Sequence, residues 1–266
     1  MQVIRPPDNQ ASKPVTVVTG AARGIGFEVA RLAAAAGRPL ALLDLPGTGL
    51  DDAIAAVREA GAPAAVALAC DVSSEDQVDA AFAEIAARLG PVRGLVASAG
   101  IDRGGLLHEL PATAWDAVMG VNLRGAFLTC RAALGQMASG GGSIVCVSSP
   151  FALVGAPGGT SAYAASKGGV SALVRTLAVD YGAQGIRVNA VLPGPTETPL
   201  MWANVPEAER GSTRDVIREE VPLGRLADPV EPARTVLWLL SDDASYITGA
   251  QIACDGGVLA KASISV

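Results

Sequence analysis

The chain has 266 residues, half of which are apolar, and its formal net charge is -6. This length and composition are sufficient for one large α/β domain with a complete core, so a second domain is not required. The acidic balance argues against nucleic acid or an anionic membrane surface as a partner, because either would need clustered Lys and Arg side chains.

The apolar runs and the N-terminal stretch predict where the protein resides. The apolar runs are short and broken by Gly, Pro or charge, and the stretch from Met1 to Asp8 lacks the apolar core of a signal peptide. We therefore expect a cytoplasmic protein without a membrane partner. Its predicted organisation is a polar leader over residues 1–13 and a single catalytic domain over residues 14–266.

The cysteines and the single histidine do not form a metal-binding pattern. His108 is the only histidine, and it is most simply a surface or loop residue. Four cysteines are scattered without a C-x-x-C pair, which favours buried free thiols over disulfides or metal ligands; they are Cys70, Cys130, Cys146 and Cys254. The sequence therefore predicts no metal site.

A glycine-rich turn follows the first predicted strand, the β-branched run from Val15 to Thr19. Glycines let the backbone turn sharply and approach a ligand, and the unpaired N–H groups at the start of a helix favour anions. No Gly-Lys-Ser/Thr sequence follows, so a P-loop is disfavoured. The residues predicted to hold the phosphates of a nucleotide are Gly20, Arg23, Gly24, Ile25 and Gly26.

The second predicted strand, from Pro39 to Asp44, ends in a carboxylate. Its distance from the glycine-rich turn is roughly that at which a dinucleotide-binding fold places the acid that holds the ribose hydroxyls. Together, the turn and Asp44 predict NAD as the cofactor.

Helix and strand patterns continue to alternate along the chain. Ser74 and Gln77 have the spacing of a capping box at the start of a helix. The expected helices cover residues 50–60, 74–89, 111–119, 121–137, 161–182 and 228–240, and the later strands cover 65–70, 94–100, 143–149, 186–192 and 251–255. This alternation predicts a single-domain Rossmann fold, an α/β structure whose doubly wound parallel sheet has about seven strands with helices on both faces. The polar segment 195–222 is long enough to form a lid over a site.

A Tyr-x-x-x-Lys pair lies in the predicted helix that begins near Ser161. Residues four apart share a helix face, so the Tyr163 phenol and the Lys167 ammonium can face one crevice. The ammonium, helped by a positive nicotinamide ring, is expected to lower the pKa of Tyr163, and Ser149 at the end of a strand can hold the substrate oxygen. Taken alone, the pair also fits a buried tyrosine beside a lysine whose stem is packed on the helix.

These motifs resemble the short-chain dehydrogenase/reductase family, and the resemblance covers nearly everything from Val15 to Gly257. The matching motifs are Thr19-Gly-x-x-x-Gly-x-Gly26, Asp71-Val72, Val121-Asn-Leu123, Ser149, Tyr163-x-x-x-Lys167, Pro193-Gly194 and Tyr246-Ile-Thr-Gly249. The resemblance implies a dehydrogenase or reductase that moves a hydride between an alcohol carbon and a nicotinamide. It also implies a homotetramer in which the helices over 121–137 and 161–182 pack against neighbouring copies.

The resemblance also assigns roles to individual residues. Asn122 orders a water in the proton relay with Lys167, while Ser149 and Tyr163 contact the reacting oxygen. Lys167 also binds the nicotinamide ribose. The other residues expected at the cofactor are Asp71 and Val72 by the adenine, Ser98, Ala99 and Gly100 at the exit of the fourth strand, Pro193 and Gly194, and Thr196 and Thr198 by the carboxamide and phosphates.

Two departures from the family pattern concern the same site. Ser98 stands where the family has an asparagine that braces the sheet, and a serine replaces only part of its hydrogen bonding. The gap from Ser149 to Tyr163 is one residue longer than the commonest pattern, which leaves Ser148 as a rival. Ser149 is preferred because the insertion fits best in the glycine-rich stretch from Gly155 to Thr160.

The leading hypothesis is therefore an NAD(H)-dependent oxidoreductase acting on a small secondary alcohol, polyol, sugar or ketone. The alternatives are a 3-oxoacyl-[acyl-carrier-protein] reductase, a catalytically inactive dinucleotide-binding protein on the same fold, and a hydrolase. The intact Asn122, Ser149, Tyr163 and Lys167 argue against an inactive protein. The absence of a Gly-x-Ser-x-Gly sequence argues against a hydrolase.

Overall fold

The structure is a computed structural model that describes residues 13–261. The expected leader, residues 1–13, lies outside the described residues except for Lys13. Seven parallel strands form one sheet in the order β3-β2-β1-β4-β5-β6-β7. They are β1 Val15–Thr19, β2 Leu40–Asp44, β3 Ala65–Ala69, β4 Val92–Ala97, β5 Gly142–Val147, β6 Ile186–Pro193 and β7 Gln251–Cys254. The reversal of strand order between β1 and β4 makes the sheet doubly wound and confirms the predicted fold.

Helices cover both faces of this sheet. They are α1 Gly24–Ala35, α2 Leu50–Glu59, α3 Glu75–Leu89, α4 Ala112–Met119, α5 Gly125–Met137, α6 Ser161–Tyr181, α7 Arg210–Glu220 and α8 Val230–Leu240. Alternate residues along each strand face opposite sides, so Val17 belongs to the core under α3, α5 and α6, whereas Val18 belongs to the core under α1, α2 and α8. Burial on both faces explains why the strands are continuous apolar runs.

The helices predicted over 111–119 and 121–137 are one continuous helical segment in the structure. A π-helical turn, Gly120–Arg124, joins α4 to α5. Gly120 lies between the two predicted stretches, but this glycine has helical dihedral angles and does not end the helix. Single π-turns inside α-helices are frequent at functional sites, and this one contains Asn122.

The predicted capping box of Ser74 and Gln77 is wrong. Ser74 makes no side-chain hydrogen bond to the first turn of α3. The Oε1 atom of Gln77 instead accepts a 2.9 Å hydrogen bond from the Asp71 amide. The chain turns immediately after β3, where the Ser74 amide donates to the Asp71 carbonyl, and this turn brings the Asp71 amide within reach of Gln77.

The segment 195–222 contains more regular structure than its polar sequence indicates. It includes α7. Its residues Trp202, Ile217 and Val221 form a small apolar cluster with Leu226, which follows the segment. The Trp202 indole donates a 2.8 Å hydrogen bond to Glu197, whose carboxylate also accepts a 2.6 Å bond from Arg214. The segment is therefore held together by its own contacts rather than only by the sheet.

Other predictions concern the cysteines and the membrane. All four cysteines are free thiols; three are buried and Cys254 is partly exposed. Among the residues described, no helix is both long and apolar enough to cross a membrane.

Candidate active site

The glycine-rich turn lies between β1 and α1 and leaves room for a ligand at the helix start. Gly20 and Gly24 have φ angles of +64° and +61°, which L side chains rarely adopt. A Cβ atom on Gly26 would lie 2.2 Å from the Gly20 carbonyl oxygen. The first turn of α1 has no acidic residue, and Arg23 at its N-cap makes no side-chain capping bond. The backbone N–H groups in the first turn of α1 therefore suit the phosphates of a dinucleotide.

Asp44 at the end of β2 is tied directly to this turn. Its Oδ2 atom accepts a 2.9 Å hydrogen bond from the Ala22 amide, and its Oδ1 atom accepts a 2.8 Å bond from the Leu45 amide. The carboxylate is half-buried. It remains an acceptor beside the phosphate site, which is the chemistry that ribose hydroxyls require.

Thr19, at the end of β1, braces the exit of β4. Its Oγ1 atom accepts 3.1 Å hydrogen bonds from both the Ser98 and the Ala99 amides. A Cβ atom on Gly20 would lie only 2.8 Å from the Ala99 Cα atom, so the two strand ends are in close contact. In this chain a threonine side chain therefore holds the strand exit where the family asparagine is replaced by Ser98.

Asp71 and Val72 lie where β3 leaves the sheet. The Oδ1 atom of Asp71 accepts hydrogen bonds from the Ser73 amide and hydroxyl, at 2.9 Å and 2.7 Å. Val72 is buried against Gly125, where an added Cβ would lie 2.7 Å from the Val72 Cγ2 atom. Asp71 thus shapes its own turn, and Val72 fixes that turn against α5.

Tyr163 and Lys167 lie on one face of α6, with the Lys167 Nζ atom 5.5 Å from the centroid of the Tyr163 ring. The ammonium donates a 2.8 Å hydrogen bond to the Val147 carbonyl at the end of β5. Burial lowers the pKa of Lys167 to about 8. Because burial disfavours a charge, this lysine is far easier to deprotonate than a surface lysine.

In the chain by itself the pKa of Tyr163 is raised, and the expected lowering, which includes the effect of the nicotinamide ring, stays a prediction. Burial raises the pKa of Tyr163 to about 12, while hydrogen bonding with Ser149 acts in the opposite direction and the charge of Asp102 adds to the rise. Burial is the larger effect because it removes water from the phenolate, and the Lys167 ammonium is occupied with the Val147 carbonyl. The phenol therefore holds its proton at neutral pH.

Ser148 and Ser149 at the end of β5 face different surroundings. The Ser148 hydroxyl lies 3.1 Å from the Lys167 carbonyl oxygen and 3.0 Å from the Ser171 hydroxyl, so it is directed into α6. The Ser149 hydroxyl accepts a 3.2 Å hydrogen bond from the Phe151 amide and interacts with Tyr163. Only Ser149 shares the surroundings of the phenol.

Asn122 is buried in the π-helical turn and links two parts of the site. Its Oδ1 atom accepts from the Ile101 amide at 2.8 Å, and its Nδ2 atom donates to the Ile101 carbonyl at 2.9 Å and to the Ser166 hydroxyl at 3.0 Å. The Ser166 hydroxyl donates to the Tyr163 carbonyl at 2.7 Å. Both amide hydrogens are thus used to connect β4's exit loop to α6, and a role in ordering water stays a prediction.

The residues after β6 either shape the loop that follows the strand or face the glycine-rich turn. Thr196 is buried and its hydroxyl donates a 2.8 Å bond to the Gly194 carbonyl, so it shapes the loop. Thr198 faces the glycine-rich turn, since a Cβ on Gly24 would lie 3.4 Å from its Cγ2 atom. Gly194, which follows Pro193, packs against the Asp255 backbone, which leaves no room for a side chain. The beginning of the lid segment is therefore fixed beside the phosphate site.

Several residues of the site were missed by the sequence reasoning. Thr19 and Ser166 carry hydrogen bonds between elements, but a hydroxyl residue in a strand or helix gives no pattern that marks such a role. Asp102 and Asn204 are joined by a 3.3 Å hydrogen bond, and only the fold brings their separate loops together. His108 is exposed beside Glu109, away from these contacts.

Comparison with known proteins agrees with this geometry. A family model described as enoyl-(acyl carrier protein) reductase matches residues 20–259. The chain is 44% identical over 248 residues to cis-4-hydroxycyclohexanecarboxylate dehydrogenase of Sinomonas cyclohexanicum, covering 92% of this chain and 96% of that protein. It is 39% identical over 248 residues to the 3-oxoacyl-[acyl-carrier-protein] reductase of Thermotoga maritima, covering 92% and 97%.

A solved structure gives the same result for the fold. The crystal structure of levodione reductase matches with a TM-score of 0.90 and 35% identity, and the match covers 95% of this chain and all of that one.

Proposed function

Because the chain belongs to the short-chain dehydrogenase/reductase family, we propose that it is an NAD-dependent oxidoreductase that interconverts a small secondary alcohol and its ketone. The observation that carries the proposal is the grouping of Ser149, Tyr163 and Lys167 at the same edge of the sheet as the glycine-rich turn and Asp44. Members of this family use NAD or NADP. When bound, the nicotinamide exchanges a hydride with the carbinol carbon.

Tyr163 is the proposed general acid and base. Its phenol is protonated at neutral pH, so it can donate a proton to a ketone oxygen, and the same oxygen takes the proton back from an alcohol in the reverse direction. Ser149 can donate a hydrogen bond to the reacting oxygen, which helps where negative charge develops. Lys167 places a positive charge near the ring and favours the phenolate that remains after the proton leaves.

The residues around α5 favour a small substrate over an acyl carrier protein. Carrier proteins are acidic, so a reductase that docks one needs exposed cations near its cleft. By resemblance, one arginine for this contact would stand at Leu128 and another at Gln184, but Leu128 is fully buried and Gln184 is uncharged. Arg131, the nearby substitute, already pairs with Glu75 and Asp79 at 2.6 Å and 3.1 Å.

Arg175 is the other nearby substitute, and it is exposed on α6. A single arginine with no second free cation on α5 gives a weak docking surface for a strongly acidic partner. The 3-oxoacyl carrier-protein reductase therefore remains the alternative, because one relative carries that name and the family model is described as an enoyl-(acyl carrier protein) reductase.

NAD is the proposed cofactor because of Asp44. NADP carries a phosphate where NAD has a ribose hydroxyl, and the Asp44 carboxylate repels that phosphate while accepting hydrogen bonds from hydroxyls. Arg23 is exposed at the turn and is a nearby cation that favours the phosphate. The carboxylate is fixed at the turn by the Ala22 amide, whereas the arginine side chain is at the surface.

We further propose a homotetramer. The helices named by the family resemblance, α5 and α6, present apolar side chains to the surface, including Phe127 at 46% exposure and Val179 at 83%. A neighbouring copy would bury such side chains, and two-fold interfaces of this kind generate a dimer of dimers. The cytoplasmic location stays a prediction from the sequence.

The function is tested with the purified full chain and a panel of substrates. Catalytic efficiencies are compared for cyclic secondary alcohols, linear polyols and a 3-oxoacyl carrier protein, with NAD(H) and NADP(H), over a range of salt concentrations. We expect small alcohols with NAD to give the highest values. A clear advantage for the carrier-bound substrate that weakens as salt rises would instead establish the alternative.

A further inference from the structure

The loops that leave the carboxyl ends of β4, β5 and β6 expose apolar side chains around the candidate active site. These side chains are Leu106 and Leu107 after β4, Leu153 and Val154 after β5, and Leu200 after β6. The carboxyl ends of parallel strands meet at one edge of the sheet, where ligands of such folds bind. Single exposed apolar residues are ordinary, but apolar side chains grouped on loops at a ligand crevice are typical of a binding groove.

Hydrogen bonds join these three loops to one another. The Gly105 amide donates a 3.1 Å bond to the Gly159 carbonyl, which joins the β4 loop to the β5 loop. A Cβ atom on Gly159 would lie 2.4 Å from the Gly105 carbonyl carbon, so the two backbones are in contact. The Asn204 Nδ2 atom donates a 3.3 Å bond to Asp102 Oδ2, which joins the lid segment to the β4 loop. The exposed apolar side chains therefore belong to one connected set of loops.

The β5 loop offers no polar side chain beyond the serine at its start. Residues 150–159, which follow Ser149, are Pro-Phe-Ala-Leu-Val-Gly-Ala-Pro-Gly-Gly, so none of them can hydrogen-bond through a side chain. The loop begins with the 3-10 turn Pro150–Ala152, for which Ser149 is the N-cap. A ligand beside this loop therefore meets apolar side chains and backbone only.

Phe151 brings this apolar surface to the catalytic tyrosine. Its ring lies edge-to-face with the Tyr163 ring, with 6.4 Å between the ring centroids and 86° between the ring planes. This is one of the favourable arrangements of an aromatic pair. The Phe151 amide also donates a 3.2 Å hydrogen bond to the Ser149 Oγ atom. Phe151 thus contacts both side chains that are proposed to hold the reacting oxygen.

The Phe151 ring is not part of the protein core. Three apolar clusters are formed by residues 13–261, and Phe151 belongs neither to them nor to the side chains packed against them. Phe151 and Tyr163 are both only half-buried, so a ligand can reach them. An apolar ligand that covers the exposed part of the Phe151 ring gains free energy, because apolar surface is removed from water.

We propose that Phe151 is a specificity-determining residue whose ring packs against the carbon skeleton of the substrate, which makes the substrate an apolar secondary alcohol or ketone rather than a polyol or sugar. This inference rests on the proposed function, because it names the alcohol that the same site takes. Further hydroxyl groups placed against the Phe151 ring would lose their hydrogen bonds to water and gain none from the side chains of the β5 loop. Ser149 and Tyr163 serve the reacting oxygen.

The test uses two pairs of alcohols that share a carbon skeleton: cyclohexanol with myo-inositol, and 2-hexanol with galactitol. The second member of each pair carries a hydroxyl group on every carbon. The readout is the ratio of kcat/KM for the apolar member to kcat/KM for the polyol, measured on the full chain with NAD and with NADP. We expect wild-type ratios of about 10²-fold or more, because each unpaired hydroxyl adds to the cost of binding.

Variants of Phe151 assign this preference to its ring. Phe151→Ala should lower both ratios by about tenfold, because only the apolar alcohols lose packing. The loss should appear mainly as a higher KM, since packing against an unreactive skeleton is alike in the ground and transition states. Phe151→Leu restores an apolar side chain, so it should recover most of the ratio, and it keeps the test usable if the alanine variant folds poorly.

Tyr246→Ala is the matched control for the loss of an aromatic ring. Tyr246 is exposed and precedes β7, so it lies toward the amino ends of the strands, at the opposite edge of the sheet from the site. Its replacement should leave both ratios unchanged.

Three results would overturn the inference. The first is a wild type that oxidises a polyol as efficiently as the apolar alcohol of the same pair. The second is an unchanged ratio in Phe151→Ala, because a purely structural role in holding Tyr163 lowers both activities and does not move their ratio. The third is a leucine variant no better than the alanine variant, which would mean that apolar surface is not what the substrate requires. No turnover of any of the four alcohols would instead refute the proposed function, and the inference with it.

Discussion

The Lys167 ammonium lies 5.5 Å from the centre of the Tyr163 ring, yet its hydrogen bond, 2.8 Å long, goes to the Val147 carbonyl. The lysine is thus anchored to the sheet at the end of β5. Burial raises the pKa of the phenol to about 12 and lowers that of the ammonium to about 8. In the chain by itself, burial therefore disfavours both the Tyr163 phenolate and the Lys167 ammonium, the two charged forms that catalysis would use.

Replacing Tyr163 with phenylalanine tests the general acid and base. The ring remains in place, so cofactor affinity should change little, but the proton donor is removed. We expect kcat to fall by about 10²-fold or more, the usual contribution of acid–base catalysis. Steady-state kinetics and a cofactor titration measure the two quantities, and turnover within a few-fold of wild type would show that Tyr163 is not the proton donor.

Replacing Lys167 with methionine tests the cost of the buried charge. The lysine pKa is about 8 when folded, against an ordinary value of 10.5, so between these pH values the unfolded chain binds more protons than the folded one. The free energy of unfolding of the wild type should therefore rise with pH relative to that of the variant, by about 1 kcal/mol per pH unit over this range. Below pH 8 the full cost of burying the charged ammonium should be present.

Denaturant unfolding at fixed protein concentration and a series of pH values measures this difference. The exposed Lys261→Met variant serves as the control and should run parallel to wild type. A constant difference between wild type and the Lys167 variant at all pH values would mean that the ammonium is not desolvated in the folded chain.

Asp44 is expected to set the cofactor preference. Wild type should use NAD at least about tenfold more efficiently than NADP, a difference of about 1.4 kcal/mol. Asp44→Asn removes the charge and can still accept from the Ala22 amide, whereas Asp44→Ala removes both. Both variants should reduce the difference in kcat/KM between NAD and NADP. Only the alanine variant should also lose the hydrogen bond from the Ala22 amide that holds the turn. A wild type that prefers NADPH would show that this role for Asp44 is wrong.

Thr19 is expected to stabilise the exit of β4. Thr19→Val keeps the shape of the side chain but leaves the Ser98 and Ala99 amides without their acceptor, which should cost about 1–3 kcal/mol of unfolding free energy. Thr19→Ser retains the oxygen and is the matched control. Thermal and denaturant unfolding compare them, and a loss in the valine variant no larger than that in the serine variant would show that the two hydrogen bonds contribute little to stability.

The oligomeric state is expected to be a homotetramer at micromolar concentration, as measured by light scattering. Phe127→Asp places a charge on the exposed surface of α5 and should shift the protein toward smaller species. Glu59→Lys, at the end of α2 under the other face of the sheet, is the control and should not. A monomeric wild type would contradict the proposed assembly.

The sequence by itself determined the fold class and the strand ends where the site lies. Alternating apolar runs and helical patterns, broken by Gly20 and Gly90, predicted a doubly wound parallel sheet, because burial on both faces leaves a strong local signal. The spacing of Tyr163 and Lys167 placed them on one helix face for a similarly local reason. These patterns depend on residues close together in the chain.

The tertiary structure decided what depends on residues that are far apart. The direction of the Tyr163 pKa follows from burial, which no local pattern reports, and the sequence reasoning had weighed only the nearby charges. Asn122 in the π-helical turn is joined to Ile101 and Ser166, 21 and 44 residues away, by contacts that form only when these elements pack. Asp102 and Asn204 lie in loops 102 residues apart, so only the folded chain could bring the carboxylate and the lid together at the cleft.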